Sequence, residues 1–454
     1  MIKFRLILST KIFKMVNINQ LISRDLKHFW HPCTQMKDFE TCPPLFIEKA
    51  HGSYLYTNKG PLIDAISSWW CKSLGHGHPA VIAAIKDQLD QFEHVITANT
   101  TNPQLVALAE ELAQITKKQH VFFASDGSSA VEIAMKLAIH ANQIKGYTDK
   151  NQFIALQNGY HGETLGTMSI SDLGLYKAPY RSFSLTCHYV EDIPYISGKE
   201  DLLWNNCDAY WSIVEKKLEA ISNKVCAIVV EPLVQGAGGM LCYSPDFLKR
   251  LSSWAKRNNI YLIADEIMTG MGRTGKWLAS HHADVEPDLI CLSKGLTSGS
   301  IPLSCVMIDN SIFDLFYADY DSGKSFLHSH TYSGNALAVS AALATIRAMR
   351  EEKIIEQAQN LGEYMFAALT EVAKLSGKLN NVRGIGAVVA ADLEDREDHR
   401  IGNKVYQQAL NHGALIRPIG KTLYWLPPLN TNHEVIGKLA EITLNSIKRA
   451  YVTP

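Results

Sequence analysis

The chain has 454 residues, of which 46% are hydrophobic and 20% charged, with 44 Lys and Arg against 45 Asp and Glu. This length exceeds what one compact core accommodates, so it predicts two domains, or one large domain with a smaller one attached. A formal charge of -1 excludes a strong net field for nucleic acid or an anionic membrane surface. We therefore expect the partner to be a small molecule.

The nine cysteines show no CxxC pair and no regular spacing. Several lie in apolar runs such as residues 225–228, which indicates buried, reduced thiols in a cytoplasmic protein rather than a disulfide framework. No run approaches the roughly 18 apolar residues of a membrane-spanning helix. The first residues mix basic and apolar side chains without a cleavage site, so we expect residues 1–16 to be a disordered extension, or translation to begin at Met15.

Short β-rich runs alternate with helix-length segments through the middle of the chain. Because the runs are nearly all apolar, they predict an α/β fold whose strands are buried on both faces of a mostly parallel sheet. The runs lie at residues 120–124, 152–156, 225–230, 260–264, 288–292 and 303–308. Residues 336–375 predict long helices, and short strands are expected near 382–392 and 414–426.

The order of these elements predicts the domain organisation. Residues 76–335 carry the alternating pattern and are expected to form the large domain. Residues 17–75 and 336–454 are expected to form the smaller α+β domain together. An open parallel sheet binds its ligands beyond the carboxyl ends of its strands, so the polar clusters directly after each run are the candidate functional residues.

The first cluster, residues 125–132, follows a predicted strand and opens a helix. Gly127 and Ser128 offer free amides and a hydroxyl at a helix start, where the dipole favours an anion such as phosphate. An ordinary helix cap by Ser or Asp explains the same residues and, taken alone, is favoured. A second hydroxyl-rich patch at residues 329–335 precedes a long helix and leaves the same two alternatives open.

Two further clusters place a carboxylate pair and a lysine at strand ends. Asp265 and Glu266 need a cationic partner if buried, and a pyridinium nitrogen is one; a salt bridge or metal site is the alternative. Lys294 follows a fully apolar run, where desolvation would lower its pKa and favour a nucleophilic amine. An exposed lysine after a strand is the commoner case.

Two glycine-rich segments are weaker signals. In residues 158–164, glycines flank Tyr160 and His161, so that an aromatic ring could lie against a flat heterocycle, although a plain turn is as good an explanation. Residues 270–275 match GxGxxG, but the spacing from the strand is wrong and no convincing helix follows. A flexible active-site loop carrying Arg273 fits this segment better than a dinucleotide site.

The order of these motifs resembles that of the class III, fold-type-I aminotransferases over about residues 28 to 430. The resemblance implies pyridoxal 5'-phosphate as cofactor, no metal, and a homodimer with shared active sites. It implies that Lys294 forms the Schiff base, Asp265 bonds the ring nitrogen, and Tyr160 lies against cofactor and substrate. It also implies that Gly127 and Ser128 bind the phosphate, and that His330 and Thr331 reach the phosphate of the neighbouring subunit.

Sequences outside these motifs are similar to family members that act on S-adenosylmethionine and 8-amino-7-oxononanoate in biotin biosynthesis. The matches lie at residues 30–32, 67–70, 231–240 and 416–418. They imply substrate contacts by Trp69 and Arg417, the arginine meeting a carboxylate. Arg273 matches an arginine near the donor's pocket. Packing is the alternative for the tryptophans, and is favoured for Trp70.

Two positions depart from the family pattern. Cys33 replaces the tyrosine of a W-H-P-Y-T motif that belongs to the substrate pocket, and Ser329, a candidate substrate contact, stands where some members have glycine. The expected reaction is a ping-pong transamination with Lys294 as general acid and base. The alternatives are lysine as donor, another class III reaction such as ω-amino-acid transamination, a dinucleotide-dependent oxidoreductase and a non-catalytic binding protein.

Overall fold

A computed structural model describes residues 17–394 and 400–452 and places a seven-stranded sheet at the centre of the chain. Ser304–Ile308 runs antiparallel to both of its neighbours, and every other pair is parallel. In spatial order the strands are His120–Ala124, Ser304–Ile308, Leu289–Leu292, Tyr261–Asp265, Val225–Val230, Gln152–Leu156 and Cys187–Val190. The predicted α/β fold with a mostly parallel sheet is confirmed.

Six of the seven strands coincide with the apolar runs predicted from sequence, within one residue at each end. The seventh, Cys187–Val190, was not predicted. It lies at the sheet edge, and only its last residue is buried, so it lacks the continuous apolar pattern that marks the other strands.

Helices cover the sheet and bury its apolar side chains. The long helix Gly127–Ile144 packs on the Ser304–Ile308 and Leu289–Leu292 strands and begins at Asp126, whose side chain caps the Ser129 amide. The other long helices around the sheet are Pro79–Leu89, Pro103–Thr116, Asp208–Glu219, Pro245–Arg257 and Ala336–Glu351. Three of them begin with proline, whose fixed φ suits the first helical turn.

Two smaller sheets lie outside the central one, and the first of them joins the N-terminal and C-terminal parts of the chain. In one, Gly60–Asp64 pairs in parallel with Ala414–Leu415 and antiparallel with Tyr54–Thr57, which pairs with Ile47–His51. The other contains Leu379–Gly384, Val389–Leu393 and Thr422–Trp425. The accompanying long helices are Ile18–His28, Ile354–Ser376, Ile401–His412 and His433–Val452.

The packing of the helix Ala336–Glu351 is relevant to the predicted domain limit at residue 336. It packs against Pro79–Leu89 and Pro103–Thr116, and the Ser340 hydroxyl donates to Gln88 Oε1 at 3.2 Å. Both of its neighbours belong to the predicted large domain, so a limit at residue 336 separates this helix from the elements that bury it. The domain limits remain predictions, and the expected extension at residues 1–16 lies outside the described residues.

The nine cysteines are all free thiols, five of them buried. Among residues 17–394 and 400–452, no helix is both long enough and apolar enough to cross a membrane.

Candidate active site

A small cavity lies at the carboxyl ends of the central strands. Its volume is about 190 Å³. It is bordered by residues at or just after the ends of five strands, which bring together residues distant in sequence. The lining residues include Gly127, Ser128, Tyr160, Asp265 and Lys294. The parallel register of Tyr261–Asp265 with Leu289–Leu292 sets Asp265 beside Cys291, so the acid and the lysine come from neighbouring strands.

Lys294 is buried in a short 3-10 turn that begins two residues after its strand. Its Nζ lies over the Trp70 ring, 4.7 Å from the centroid. Burial lowers the pKa of this amine, while the negative charges of Asp265 and Glu231 oppose the shift. The balance favours a larger fraction of neutral amine than an exposed lysine has, as a nucleophile that attacks a carbonyl requires.

Asp265 is the last residue of its strand and is 4% exposed. Its Oδ2 lies 2.8 Å from His161 Nδ1, and its Oδ1 accepts from the Ile267 amide at 3.2 Å. The other ring nitrogen of His161 is buried without a hydrogen-bond partner among the described residues. The carboxylate is therefore held in a fixed orientation at the cavity wall, where it can face a cationic ring nitrogen.

The helix start at Gly127 forms a tight cradle of amides. The amides of Gly127 and Ser128 open the helix and have no preceding turn to bond to. A side chain at Gly162, whose φ is +124°, would come within 2.0 Å of Ser128 Oγ, and one at Gly127 would meet Ile267 at 2.8 Å. Both glycines are thus required for close packing here. The cradle can bind an anion through amides, a hydroxyl and the helix dipole.

These features fit a phosphorylated pyridine aldehyde. One cavity presents a buried amine for the aldehyde, a fixed carboxylate for the ring nitrogen and a helix start for the phosphate. Among the described residues, no lysine or arginine lies at salt-bridge distance from Asp265, and His161 is its one ionisable partner, so a structural salt bridge with a lysine or arginine does not account for this acid. The donor set therefore matches pyridoxal 5'-phosphate.

A second cavity of about 560 Å³ adjoins the first and shares Trp70, Tyr160 and Lys294 with it. Arg417 lies in its wall, with its guanidinium 4.7 Å from the centroid of the Trp69 ring and Nη2 donating to the Cys33 carbonyl at 3.0 Å. Trp69 is 42% exposed, as a residue at an open cavity is. The space runs from Lys294 to a planar cation suited to a carboxylate.

The turn that carries both tryptophans has an uncommon backbone. Ser67, Ser68 and Trp70 all have positive φ values, between 51° and 66°. Such conformations cost about 1 to 3 kcal/mol each for ordinary residues and need support from their surroundings. Asp64 provides it, because its carboxylate accepts from the Ser68 amide at 2.7 Å and from His76 Nε2 at 2.8 Å.

The interpretation of Trp70 as a core residue is only half correct. The ring is 7% exposed, as in a core, yet it lines both cavities and touches the amine of Lys294. Its Nε1 donates to the Tyr424 hydroxyl at 3.0 Å. A buried aromatic residue in the sequence is compatible with a core position and with a cavity wall, and the structure places the Trp70 ring at both, on a residue with a positive φ.

Arg273 does not line either cavity. It is 4% exposed, and its Nη1 donates to the carbonyls of Pro427 at 2.7 Å and Ala387 at 3.2 Å. The segment of residues 270–275 is a largely buried turn, so the expectation of a flexible loop is corrected. The short 3-10 helix Ala279–His282 follows it, and the next α-helix begins only at Asn310, which agrees with the rejection of the dinucleotide motif. Arg273 Nη2 also donates to the Ser67 hydroxyl at 3.5 Å, in the turn that carries Trp69 and Trp70.

The patch at residues 329–335 lies beside the cradle of its own chain. His330 Nε2 is 2.5 Å from Ser125 Oγ, and the Thr331 carbonyl accepts from His94. Ser329 and Thr331 are exposed and do not line the two cavities. Their contacts with substrate and with a second subunit remain predictions.

Glu231 belongs to the site but was not singled out from the sequence. It accepts from the amides of Tyr160 at 3.0 Å and Gly236 at 2.9 Å, and so fixes the Tyr160 backbone. Burial raises its pKa to about 7, against the lowering effect of His161. Its signal was available, since a glutamate directly follows the apolar run at residues 225–230. Tyr160 itself bonds through its hydroxyl to Glu163 at 3.1 Å.

The fold and this site define a class III aminotransferase, and comparisons with known proteins agree. The family model for class-III aminotransferases matches residues 36–447. The chain belongs to this family, whose cofactor is pyridoxal 5'-phosphate. The fold is accordingly that of the fold-type-I enzymes.

Several individual relatives that share one name are similar to this chain over most of its length. The adenosylmethionine-8-amino-7-oxononanoate aminotransferase of Helicobacter pylori is 37% identical over 92% of this chain and 95% of that protein. The protein of the same name from Synechococcus elongatus is 38% identical over 88% and 94% of the two chains. The crystal structure of the Methanocaldococcus jannaschii protein of that name has a TM-score of 0.88 at 30% identity, covering 95% of this chain and 99% of the other.

A solved structure with another name is nearly as similar. An amine transaminase from an uncultivated Pseudomonas species, in its PLP-bound form, has a TM-score of 0.83 at 29% identity over 94% and 98% of the two chains. Overall structural likeness therefore does not select the substrate, and the residues of the larger cavity have to do so.

Proposed function

We propose that this chain transfers an amino group from S-adenosylmethionine to 8-amino-7-oxononanoate and forms 7,8-diaminononanoate for biotin biosynthesis. The observation that carries the proposal is the position of Arg417, across the larger cavity from Lys294 and stacked on Trp69. The acceptor has its reacting ketone and its carboxylate at opposite ends of an aliphatic chain. Relatives at 37% and 38% identity carry the name of this activity.

The residues of the smaller cavity have distinct roles in the proposal. When bound, pyridoxal 5'-phosphate supplies a carbonyl that takes up the amino group and a ring that draws electrons from the reacting carbon. Lys294 holds the cofactor until the donor displaces it, and its Nζ then moves the proton away from the donor carbon that bears the amine. Asp265 keeps the ring nitrogen protonated, and His161 holds that carboxylate in place.

The larger cavity serves both substrates in turn. Trp70 and Tyr160 border the space between the cofactor site and this cavity, and they limit the access of water to the reacting carbon. The keto product of the donor leaves before the acceptor enters, so donor and acceptor occupy the same space at different times. Arg417 then grips the carboxylate of the acceptor and aligns its ketone with the amino group.

The subunit arrangement and location are part of the proposal. We place the enzyme in the reducing cytoplasm as a homodimer, supported by its free cysteines and by the exposed apolar side chains Leu327 and Tyr332 that flank His330 and Thr331.

A half-reaction tests the proposed function directly. S-Adenosylmethionine is expected to bleach the visible absorbance of the holoenzyme, and 8-amino-7-oxononanoate is expected to restore it. Lysine and an ω-amino acid serve as alternative donors in parallel samples. If lysine bleaches the absorbance and S-adenosylmethionine does not, the proposed donor is wrong. If 8-amino-7-oxononanoate never restores the absorbance while another ketone does, the acceptor is wrong.

Replacing Arg417 with glutamine is expected to raise the KM for 8-amino-7-oxononanoate by about 10- to 100-fold, the worth of a hydrogen-bonded ion pair. Steady-state kinetics with varied acceptor measure the effect. Arg257→Gln is the matched control, because that arginine pairs with Glu215 on the surface and lies outside both cavities. An unchanged acceptor KM in Arg417→Gln would remove the carboxylate site from the proposal.

A further inference from the structure

The phenol of Tyr176 lies against Cys33, the residue that stands at the position of the family's substrate-pocket tyrosine. Tyr176 and Cys33 both line the larger cavity, and the Tyr176 hydroxyl is 3.0 Å from Cys33 Sγ. Cys33 occupies the tyrosine position of the W-H-P-Y-T motif. A phenol hydroxyl thus lies beside Cys33 after all, but it comes from a segment 143 residues further along the chain.

The segment that carries Tyr176 is held firmly by its neighbour. Tyr176 belongs to the short helix Gly174–Lys177. Lys177 Nζ donates to the Ser169 carbonyl and to the Tyr189 hydroxyl, both at 2.6 Å. The Tyr189 hydroxyl itself donates to the Ser169 carbonyl at 2.9 Å. Because this network fixes the helix on the large domain, the direction of the adjacent tyrosine is set before substrate arrives.

Cys33 connects the phenol to Arg417. Its thiol contacts the Tyr176 hydroxyl, and its carbonyl accepts from Arg417 Nη2 at 3.0 Å. The hydroxyl and the guanidinium therefore lie on two sides of one residue, at the same end of the cavity. Either group can be the donor in this contact, so the phenol O–H can turn from the thiol to a ligand that enters the cavity.

The phenol stays protonated at any working pH. The hydrogen bond with Cys33, followed by burial, raises the pKa of Tyr176 to about 12. A protonated phenol beside a guanidinium is a hydrogen-bond donor pair for one carboxylate, with the cation supplying the charge.

We propose that the Tyr176 hydroxyl donates a hydrogen bond to the acceptor's carboxylate beside Arg417, and so replaces the tyrosine that Cys33 displaces. The inference rests on the proposed function for the identity of the acceptor. The donor's carboxylate is attached to the same carbon as its reacting amine, so it stays near Lys294. The acceptor's carboxylate is separated from its ketone by the length of the chain and reaches this end of the cavity.

The test compares Tyr176→Phe with wild type in the two half-reactions. We expect the acceptor half-reaction to need about tenfold more 8-amino-7-oxononanoate for half-maximal rate, because one hydrogen bond to a charged group is lost. The donor half-reaction and the limiting rate should stay near wild type. Tyr180→Phe is the matched control, an exposed tyrosine four residues further along that lies outside both cavities.

A binding measurement separates this inference from the proposed function. Heptanoate carries a carboxylate on a chain as long as the acceptor's from C1 to C7, and its methyl ester is the uncharged control. Tyr176→Phe is expected to weaken heptanoate binding to the holoenzyme about tenfold and to leave ester binding unchanged. If wild type binds heptanoate in this way but never turns over 8-amino-7-oxononanoate, the proposed function fails and the role of Tyr176 as a carboxylate donor stands. Equal heptanoate affinities of wild type and Tyr176→Phe, or equal losses for acid and ester, would overturn the inference.

Discussion

Replacing Lys294 with alanine is expected to lower kcat by at least about 10³-fold, within the range of a lost general acid and base. The variant loses the amine that we propose holds the cofactor, which among the described residues is the only lysine lining the two cavities. Purified enzyme in both half-reactions measures the effect, and borohydride reduction followed by mass analysis of the peptides locates the modified lysine in wild type.

The control for this variant is Lys276→Ala. Lys276 donates to the His281 carbonyl at 2.9 Å on the surface and lies outside both cavities, so its loss should leave kcat near wild type. Retained activity of Lys294→Ala, or reduction of the cofactor onto a different lysine, would overturn the assignment of the nucleophile.

Asp265→Asn is expected to lower kcat by about 10²- to 10³-fold while the protein remains folded. Asparagine preserves the size of the side chain and one carbonyl oxygen. It removes the negative charge that we propose keeps the ring nitrogen of the cofactor protonated, and with it the stabilisation of negative charge at the reacting carbon. Steady-state kinetics and the thermal midpoint of the same preparation measure the two quantities.

Glu266→Gln separates the two adjacent acids. Glu266 is fully buried and accepts from the amides of Ala279 and Ser280 at 3.0 and 2.8 Å and from the Thr269 hydroxyl at 2.8 Å. An amide group there would set an N–H against another donor, at a cost of about 1 to 3 kcal/mol of folding free energy. We expect a lower thermal midpoint with kcat near wild type. The opposite pattern, a stable but inactive Glu266→Gln beside an active Asp265→Asn, would exchange the roles of the two acids.

The parts of the fold that follow from local pattern could be predicted from sequence. Apolar runs of strand length located six strands of the central sheet, because strands buried on both faces need such runs. The carboxyl ends of those strands then located Asp265 and Lys294, since parallel strands bring their ends to one edge. The edge strand Cys187–Val190 has no continuous apolar run and was missed for that reason.

The residues whose placement depends on distant contacts could not be predicted in the same way. Arg273 lies in a segment that the sequence predicts to be an active-site loop. In the structure its guanidinium is buried and donates to the carbonyls of Ala387 and Pro427. Tyr176 has no motif of its own, and its relation to the cavity arises from a contact with Cys33 across 143 residues. The Trp70 ring is carried by a turn with positive φ values, in which Asp64 accepts a hydrogen bond from the Ser68 amide.

The turn at Ser67–Trp70 also positions two neighbouring parts of the wall of the larger cavity. The ring of Trp69 touches the guanidinium of Arg417, while the ring of the very next residue, Trp70, touches the amine of Lys294. Two neighbouring residues thus lie beside both the proposed reacting end and the proposed carboxylate end of the larger cavity. A change in the backbone of this turn is therefore expected to shift both rings together, and with them the walls of the cavity beside Lys294 and beside Arg417.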